Sequence, residues 1–436
     1  MGIALLKKLN TKLPDPVKIA FGPVIRSKLI YSKAFRNQYY ELTKMDSMSA
    51  VDIENCQFEK LKDVLVHAYE HTVYYKRLFD DAGFDVYSFG SFDEMKRIPV
   101  ITKELIIKHF NELQADDISD FYSATTGGST GTPLKINLDR DSIYREKAFI
   151  YHFWEQLGYD YRRSRIASFR GTDFNGKNFK ANPLYNEIQV NPCNINALTI
   201  YDYYKKLCSF KVEFLHGFPS AIYSFCKFAK DAGLPIFGKY KAVFFISENV
   251  YDFQREFIED TLGCPTAAFF GHSERAVFAE QIETSGYLFN DFYGFWELSE
   301  GNQGNIICTG FLNKKMPLIR YEIDDSAIKE FDRYQITGHR DGFLYGKNGE
   351  IVSAAALEVH SSILDKISNY QFHQKEKGFV EILYMPFSKL SDEDTVALRE
   401  LFQTKMGSAI NVSTREVNEM QLTNRAKFRL VIQDVQ

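Results

Sequence analysis

Apolar residues recur at helical spacing through residues 56–82, with Leu61, Leu65, Ala68 and Tyr69 on one face. Thr102 stands ahead of a second helical stretch, Lys103-Glu104-Leu105, as its N-cap. Lys135 to Leu138 alternates polar and apolar positions as a strand does. Beyond it, from about residue 140 to 270, helical stretches alternate with short apolar runs. Val212 to His216, Ala242 to Ile246 and Pro265 to Phe270 read as strands. Pro219 opens a helix over SAIYSFCKFAKDAG, and Glu256 to Leu262 is helical. This alternation predicts an α/β core with parallel strands. The polar segment Arg170 to Asn194 reads as a surface loop.

The pattern changes after about residue 340. Glu350 to Val352, Gly378 to Tyr384 and Ile410 to Val417 read as strands, and 355–367 and 392–405 as helices. Ser391 followed three residues later by Asp394 is close to a capping box. Residues 342–436 are therefore expected to form a small α+β unit, joined to the rest near Gly338–Gly342.

Composition narrows the class. The chain has 436 residues, 45% hydrophobic and 25% charged, which suits a globular protein of two or three domains. A net charge of −4 argues against a polyanion binder, so no nucleic-acid partner is expected. Residues 1–36 nevertheless carry eight Lys/Arg against one acid, Asp15. Residues 1–50 read as a basic helical extension, either solvated, docked, or lying on an anionic membrane surface. No apolar run approaches the roughly 18 residues of a spanning helix. The start, MGIALLKKLNTKLPDP, places its charges after an apolar run too short for a signal sequence. The expected setting is the cytoplasm, with peripheral membrane association left open. Cys56, Cys193, Cys208, Cys226, Cys264 and Cys308 are scattered and read as free thiols, and no histidine pairs with them at zinc-ligand spacing.

Four features carry chemistry. In SATTGGSTGTPLK (Ser123 to Lys135), nine consecutive residues, Thr125 to Pro133, are Thr, Gly, Ser or Pro. Such a loop lets backbone N–H groups approach a phosphate closely, and its hydroxyls add short donors. A Walker A reading fails because no lysine follows Gly131, and a flexible linker is the alternative. Second, Phe269-Phe270-Gly271-His272-Ser273-Glu274 ends a strand in a tight turn that delivers a hydroxyl and a carboxylate, the latter suited to Mg²⁺. The same stretch approaches the GxSxG of hydrolases, with Ser273 as nucleophile, but Arg275 stands where the last glycine belongs. Third, Pro317 to Asp325 reads as a strand ending in paired acids, suited to a ribose or to an ordinary turn. Fourth, Arg425, Lys427 and Arg429 alternate just before the C-terminus and would share one face of a strand.

In this order the four resemble the adenylate-forming superfamily, enzymes that join a carboxylate to AMP. Within it they resemble the phenylacetate–CoA ligase family and its capsular-polysaccharide (CapK-like) branch. Softer matches are Ile98-Pro99-Val100-Ile101-Thr102-Lys103, Gly217-Phe218-Pro219-Ser220 and Ile246-Ser247-Glu248. The resemblance implies a large N-terminal adenylation domain of α/β class, residues 1–338, and a mobile α+β lid, residues 339–436. It implies an ATP- and Mg²⁺-dependent ligase that forms an acyl-adenylate and passes the acyl group to CoA or an amine. A surface-polysaccharide setting follows by analogy.

The implied site residues map onto this sequence as follows. Thr125, Thr126, Gly127, Gly128, Ser129, Thr130 and Gly131 hold the β/γ-phosphates. Phe270 stacks on adenine with help from Ser247 and Glu248, and Gly271, His272 and Ser273 complete the turn. Glu274 holds Mg²⁺, Asp325 fixes the ribose, and Lys427 bridges carboxylate and α-phosphate oxygens. Asp341 is the hinge, and Arg340 serves as the hinge arginine if the pattern shifts by one residue. The Arg170 to Asn194 segment could line an acyl site. Three positions depart from the family: Thr132 replaces a lysine, with Lys135 as the substitute cation; His339 replaces the hinge arginine; Ala426 replaces a glycine. A homologue that binds without catalysing is the alternative they raise.

Overall fold

The structure, a computed structural model, describes Arg26 and residues 31–435 other than 126–133, 171–173, 175–176, 284–285, 338–342, 348–350, 354–356, 358–360, 407–409 and 423–427. It divides into two compact units. One contains Ala20–Asp160 with Phe269–Thr337; the other contains Tyr161–Ala268 with Gly338–Gln436.

In the first unit the long helical stretch is two helices, Ala50–His71 and Val73–Asp81. Thr72 separates them because its extended backbone ends the first and its hydroxyl caps the second, accepting from Tyr75 N at 3.2 Å. Thr102 does precede a helix, Lys103–Lys108, but its hydroxyl donates to Glu104 Oε2 at 2.7 Å instead of capping a backbone N–H. Strands Phe121–Thr125 and Lys135–Asp139 form an antiparallel hairpin whose last pair is Thr125 with Lys135. The Gly/Ser/Thr loop thus connects two paired strands. A four-stranded antiparallel sheet follows, ordered Gly294–Leu298, Gln303–Gly310, Tyr321–Glu330, Arg333–Thr337. Leu61, Leu65, Phe79, Ile98, Ile136, Leu138, Ile306 and Ile319 meet in this unit's core.

The expected strand ending at Asp325 lies differently. It begins at Tyr321, after the proline, and runs on to Glu330, so Asp325 is mid-strand. Against the neighbouring strand, Glu322 pairs with Ile307 but Ser326 pairs with Asn305, so three residues, Ile323 to Asp325, face one. This is a β-bulge, a device that re-aims a side chain without ending the strand.

The second unit has the expected parallel sheet. Ala242–Phe245, Phe214–Gly217, Ile166–Phe169 and Glu187–Val190 pair in parallel, and Phe179–Asn182 closes the edge antiparallel. The strand Thr266–Gly271 begins in this unit, pairing in parallel with Ala242–Phe245, and ends in the first. The Arg170 to Asn194 segment is therefore not simply a loop: two of the strands come from it. Its carboxylate Glu187 is buried and bonded by Asn182 at 2.6 Å and Arg170 at 3.3 Å. Gly217 lies at φ +148°, and a Cβ there would sit 2.1 Å from the Phe169 carbonyl oxygen on the adjacent strand. Gly217→Ala should cost about 2–3 kcal/mol, read as a lowered urea midpoint; an unchanged midpoint would show that the sheet can spread there.

The C-terminal part forms a second sheet, ordered Asn411–Glu416, Phe379–Pro386, Ile367–Glu376, Val431–Gln433, covered by the helix Asp392–Met406. Ser391 caps that helix, accepting from Asp394 N at 3.1 Å. The expected helix 355–367 is not continued in its described portion: Leu364–Lys366 is a single 3-10 turn and a strand begins at Ile367. Lys227 of the helix Pro219–Asp231 explains the break, since its ammonium takes the carbonyl oxygens of Leu364 and Ile367. Leu215, Phe225 and Val243 share one core with Phe372, Ile382, Leu398 and Phe402.

Candidate functional site

The strand Thr266–Gly271 runs into a turn closed by Arg275 N on the His272 carbonyl at 3.1 Å. Phe270 is half-buried and meets the His272 ring edge-to-face at 4.7 Å. Gly271 and Ser273 are exposed, whereas Glu274 is buried. Among the described residues no cation or hydrogen-bond donor meets the Glu274 carboxylate. Its charge is felt by the buried Cys308 thiol, whose pKa is pushed up by burial and then by Glu274. A buried carboxylate at the end of a strand is an oxygen ligand of the kind a divalent cation takes.

Asp325, also buried, lies in the bulge, and its Oδ2 is 3.3 Å from His272 Nε2. That contact is one of proximity, because Nε2 has no aligned hydrogen-bond partner among the described residues. The first unit thus gathers Phe270, His272, Glu274 and Asp325.

Arg275 fixes this turn. It takes a left-handed backbone, φ 56°, and sends its side chain inward. The guanidinium bonds Glu146 Oε2 at 2.8 Å, Ser142 Oγ at 2.9 Å and the Tyr122 hydroxyl at 2.5 Å. Burial alone would lower its pKa, but the Glu146 carboxylate and Tyr122 outweigh this and keep the guanidinium charged. Tyr122 belongs to the hairpin strand that leads into the Gly/Ser/Thr loop. One cation therefore ties the Glu274 turn to the base of that loop. Periodicity gave no sign of it; the sequence-level signal was only that an arginine replaces a glycine.

In the second unit Ser247 follows the strand Ala242–Phe245 in a left-handed conformation, φ 68°, exposed to solvent. Such backbone strain is concentrated at functional sites. Glu248 accepts from two backbone groups: Ser220 N at 3.2 Å, in the first turn of the helix Pro219–Asp231, and Phe428 N at 2.6 Å. The second of these follows Lys427 directly.

No known family profile matches the chain. It is 23% identical to Protein CapK of Staphylococcus aureus over 94% of this chain and 96% of that one. A stretch of 104 residues, 23% of each chain, is 22% identical to phenylacetate-coenzyme A ligase of Thermus thermophilus. Among solved structures, 2-hydroxyisobutyryl-CoA ligase in the postadenylation state, in complex with R3-HIB-AMP, matches at TM-score 0.66 and 16% identity, covering 89% of this chain and 90% of that one. The same ligase in complex with 2-HIB-AMP and CoA matches at TM-score 0.52 and 17% identity, covering 89% and 91%. This is the adenylate-forming fold.

Set against the adenylate-forming pattern, several expected residues lie outside the described ones: Thr126, Gly127, Gly128, Ser129, Thr130, Gly131, Thr132, His339, Arg340, Asp341, Arg425, Ala426 and Lys427. Thr125 is the last residue of its hairpin strand. Lys135 is exposed, with its ammonium over the Phe110 ring at 5.1 Å. Ser273 is exposed in this turn. The strained backbone is at Arg275, and among the described residues no imidazole is bonded to its hydroxyl.

Proposed function

We propose that the protein is an ATP-dependent ligase that activates a carboxylic acid as its acyl-adenylate, releasing pyrophosphate, and then passes the acyl group to CoA or an amine. The observation that carries this reading is the meeting of the buried Asp325 with His272 of the turn that bears the buried Glu274, a turn that Arg275 ties to the hairpin. The acyl-AMP and CoA complexes of the ligase that shares the fold support an adenylate and a thiol acceptor. A precursor of surface polysaccharide as the setting is what the capsule-branch resemblance of the sequence implies.

The central physical problem is charge, because a carboxylate must attack an α-phosphate that is already anionic. Backbone N–H groups and hydroxyls of the 125–131 loop hold the terminal phosphates, and Asp325 accepts the ribose hydroxyls. Glu274 would hold Mg²⁺, which when bound offsets phosphate charge. Phe270 offers a ring to the base. Lys427 neutralises the oxygens between carboxylate and α-phosphate. Glu248 accepts from the backbone N–H of Phe428, the residue that follows Lys427 in sequence. Residues 339–436 act as a lid with Asp341 as its hinge; since they share a core with Tyr161–Ala268, reorientation requires that packing to slide.

A pyrophosphate-release screen across carboxylic acids, run first without and then with CoA, tests the reaction. Release with a subset of acids in the absence of CoA is the expected result. Tight ATP binding with no release for any acid would replace the ligase with a nucleotide-binding homologue.

A further inference from the structure

The helix Ala50–His71 ends in His67-Ala68-Tyr69-Glu70-His71, which sets two imidazoles one turn apart on the same face. Their ring centroids are 4.9 Å apart. Asp117, in the segment ahead of the strand Phe121–Thr125, brings its carboxylate to both: Oδ2 lies 3.2 Å from His67 Nε2 and 3.9 Å from His71 Nε2. The ligand atoms of the three residues all lie within 4.8 Å of one another. Tetrahedral zinc with bonds of about 2.0–2.2 Å spaces its ligand atoms about 3.3–3.5 Å apart. Side-chain shifts of about 1 Å reach that spacing, and His71 and Asp117 are part-exposed and free to make them.

A second observation points the same way. His71 Nδ1 lies 2.9 Å from Asp116 Oδ1. Donation there fixes the tautomer and leaves the Nε2 lone pair on the side of Asp117, the arrangement of carboxylate–histidine–metal triads. The backbone is held too, since Asp116 N donates to the His71 carbonyl at 3.0 Å.

We propose that His67, His71 and Asp117 form a zinc site, with Asp116 orienting His71 and a fourth position open to water. Two imidazoles and one carboxylate suit zinc better than magnesium or calcium, which take oxygen ligands. Lys314 is the nearby opposing charge, and Asp63 holds its ammonium at 2.7 Å. The ion would brace the helix end against the segment that enters the hairpin four residues later. It is separate from Glu274 and does not rest on the proposed ligase reaction.

The test is titration of the full chain with zinc chloride in excess magnesium, against a chromophoric chelator, with cobalt absorption as a second reading. One equivalent should bind with a dissociation constant of about 1 µM or tighter, and cobalt should show a tetrahedral spectrum without a thiolate charge-transfer band. Asp116→Asn should weaken binding roughly 10–100-fold, and His71→Ala more. Both replaced residues are at the surface, so the variants are expected to fold, which unchanged circular dichroism verifies. Absence of a tight equivalent, a thiolate band, or equal affinity in His71→Ala would overturn the site.

Discussion

Lys427→Ala is expected to lower carboxylate-dependent ATP–pyrophosphate exchange on the order of 10²–10³-fold, the loss typical of removing one preorganised donor from developing charge. ATP binding should change little. The proposed contacts of ATP in the ground state are with the Gly/Ser/Thr loop, Phe270 and Asp325, and none of these is altered. Lysine matters where two anionic groups must close to bonding distance, which happens only on the way to the adenylate. The bond from Phe428 N to the Glu248 carboxylate, 2.6 Å, does not involve the side chain that is removed. Lys427→Arg, which keeps the charge but changes its shape, should retain part of the exchange. Full exchange in Lys427→Ala would remove the lysine from the chemistry and with it the role given to the C-terminal segment.

The largest effect on stability is expected at Arg275. Arg275→Met leaves the Glu146 carboxylate without its cation and the hydroxyls of Ser142 and Tyr122 without a donor. Breaking a fully buried pair from one side costs about 3–5 kcal/mol; Glu146 keeps some exposure, so about 3 kcal/mol is expected, visible as a lower urea midpoint. The double change Glu146→Gln with Arg275→Met removes both charges and should recover much of the loss. If the single and double variants unfold at the same denaturant concentration, the charge pair is not what holds the turn. Because Arg275 adjoins Glu274, the proposed Mg²⁺ ligand, the single variant should also raise the Mg²⁺ concentration needed for pyrophosphate release, whereas a change elsewhere in the core would not.

Legibility followed the range of the interaction. Local signals carry far: Pro219 opens its helix, Ser391 caps the helix Asp392–Met406, and the parallel strands fall where short apolar runs stand. What failed depended on partners far away in sequence. The stretch 355–367 has a helical pattern, but Lys227, more than a hundred residues earlier, claims the carbonyls at 364 and 367. Arg275 looked like a broken hydrolase motif, yet it reaches back to Tyr122, Ser142 and Glu146. The closeness of His67 and His71 to Asp117 is not visible in cysteine or histidine spacing, because Asp117 lies in a different segment. At the candidate site, the turn and the acid at 325 were visible as motifs. That His272 stands between them was not, since it depends on the register of the Tyr321–Glu330 strand.

The bulge in that strand has an arithmetic of its own. It adds two residues relative to its neighbour, as the shift from the Ile307–Glu322 pair to the Asn305–Ser326 pair requires. An even insertion preserves the parity of the pleat, so Tyr321, Ile323, Asp325 and Ala327 all point inward. The carboxylate therefore occupies a slot in an otherwise apolar row. An insertion or deletion of one residue here would carry it outward and expose half the strand's core face. Length changes in this segment are tolerable only in pairs.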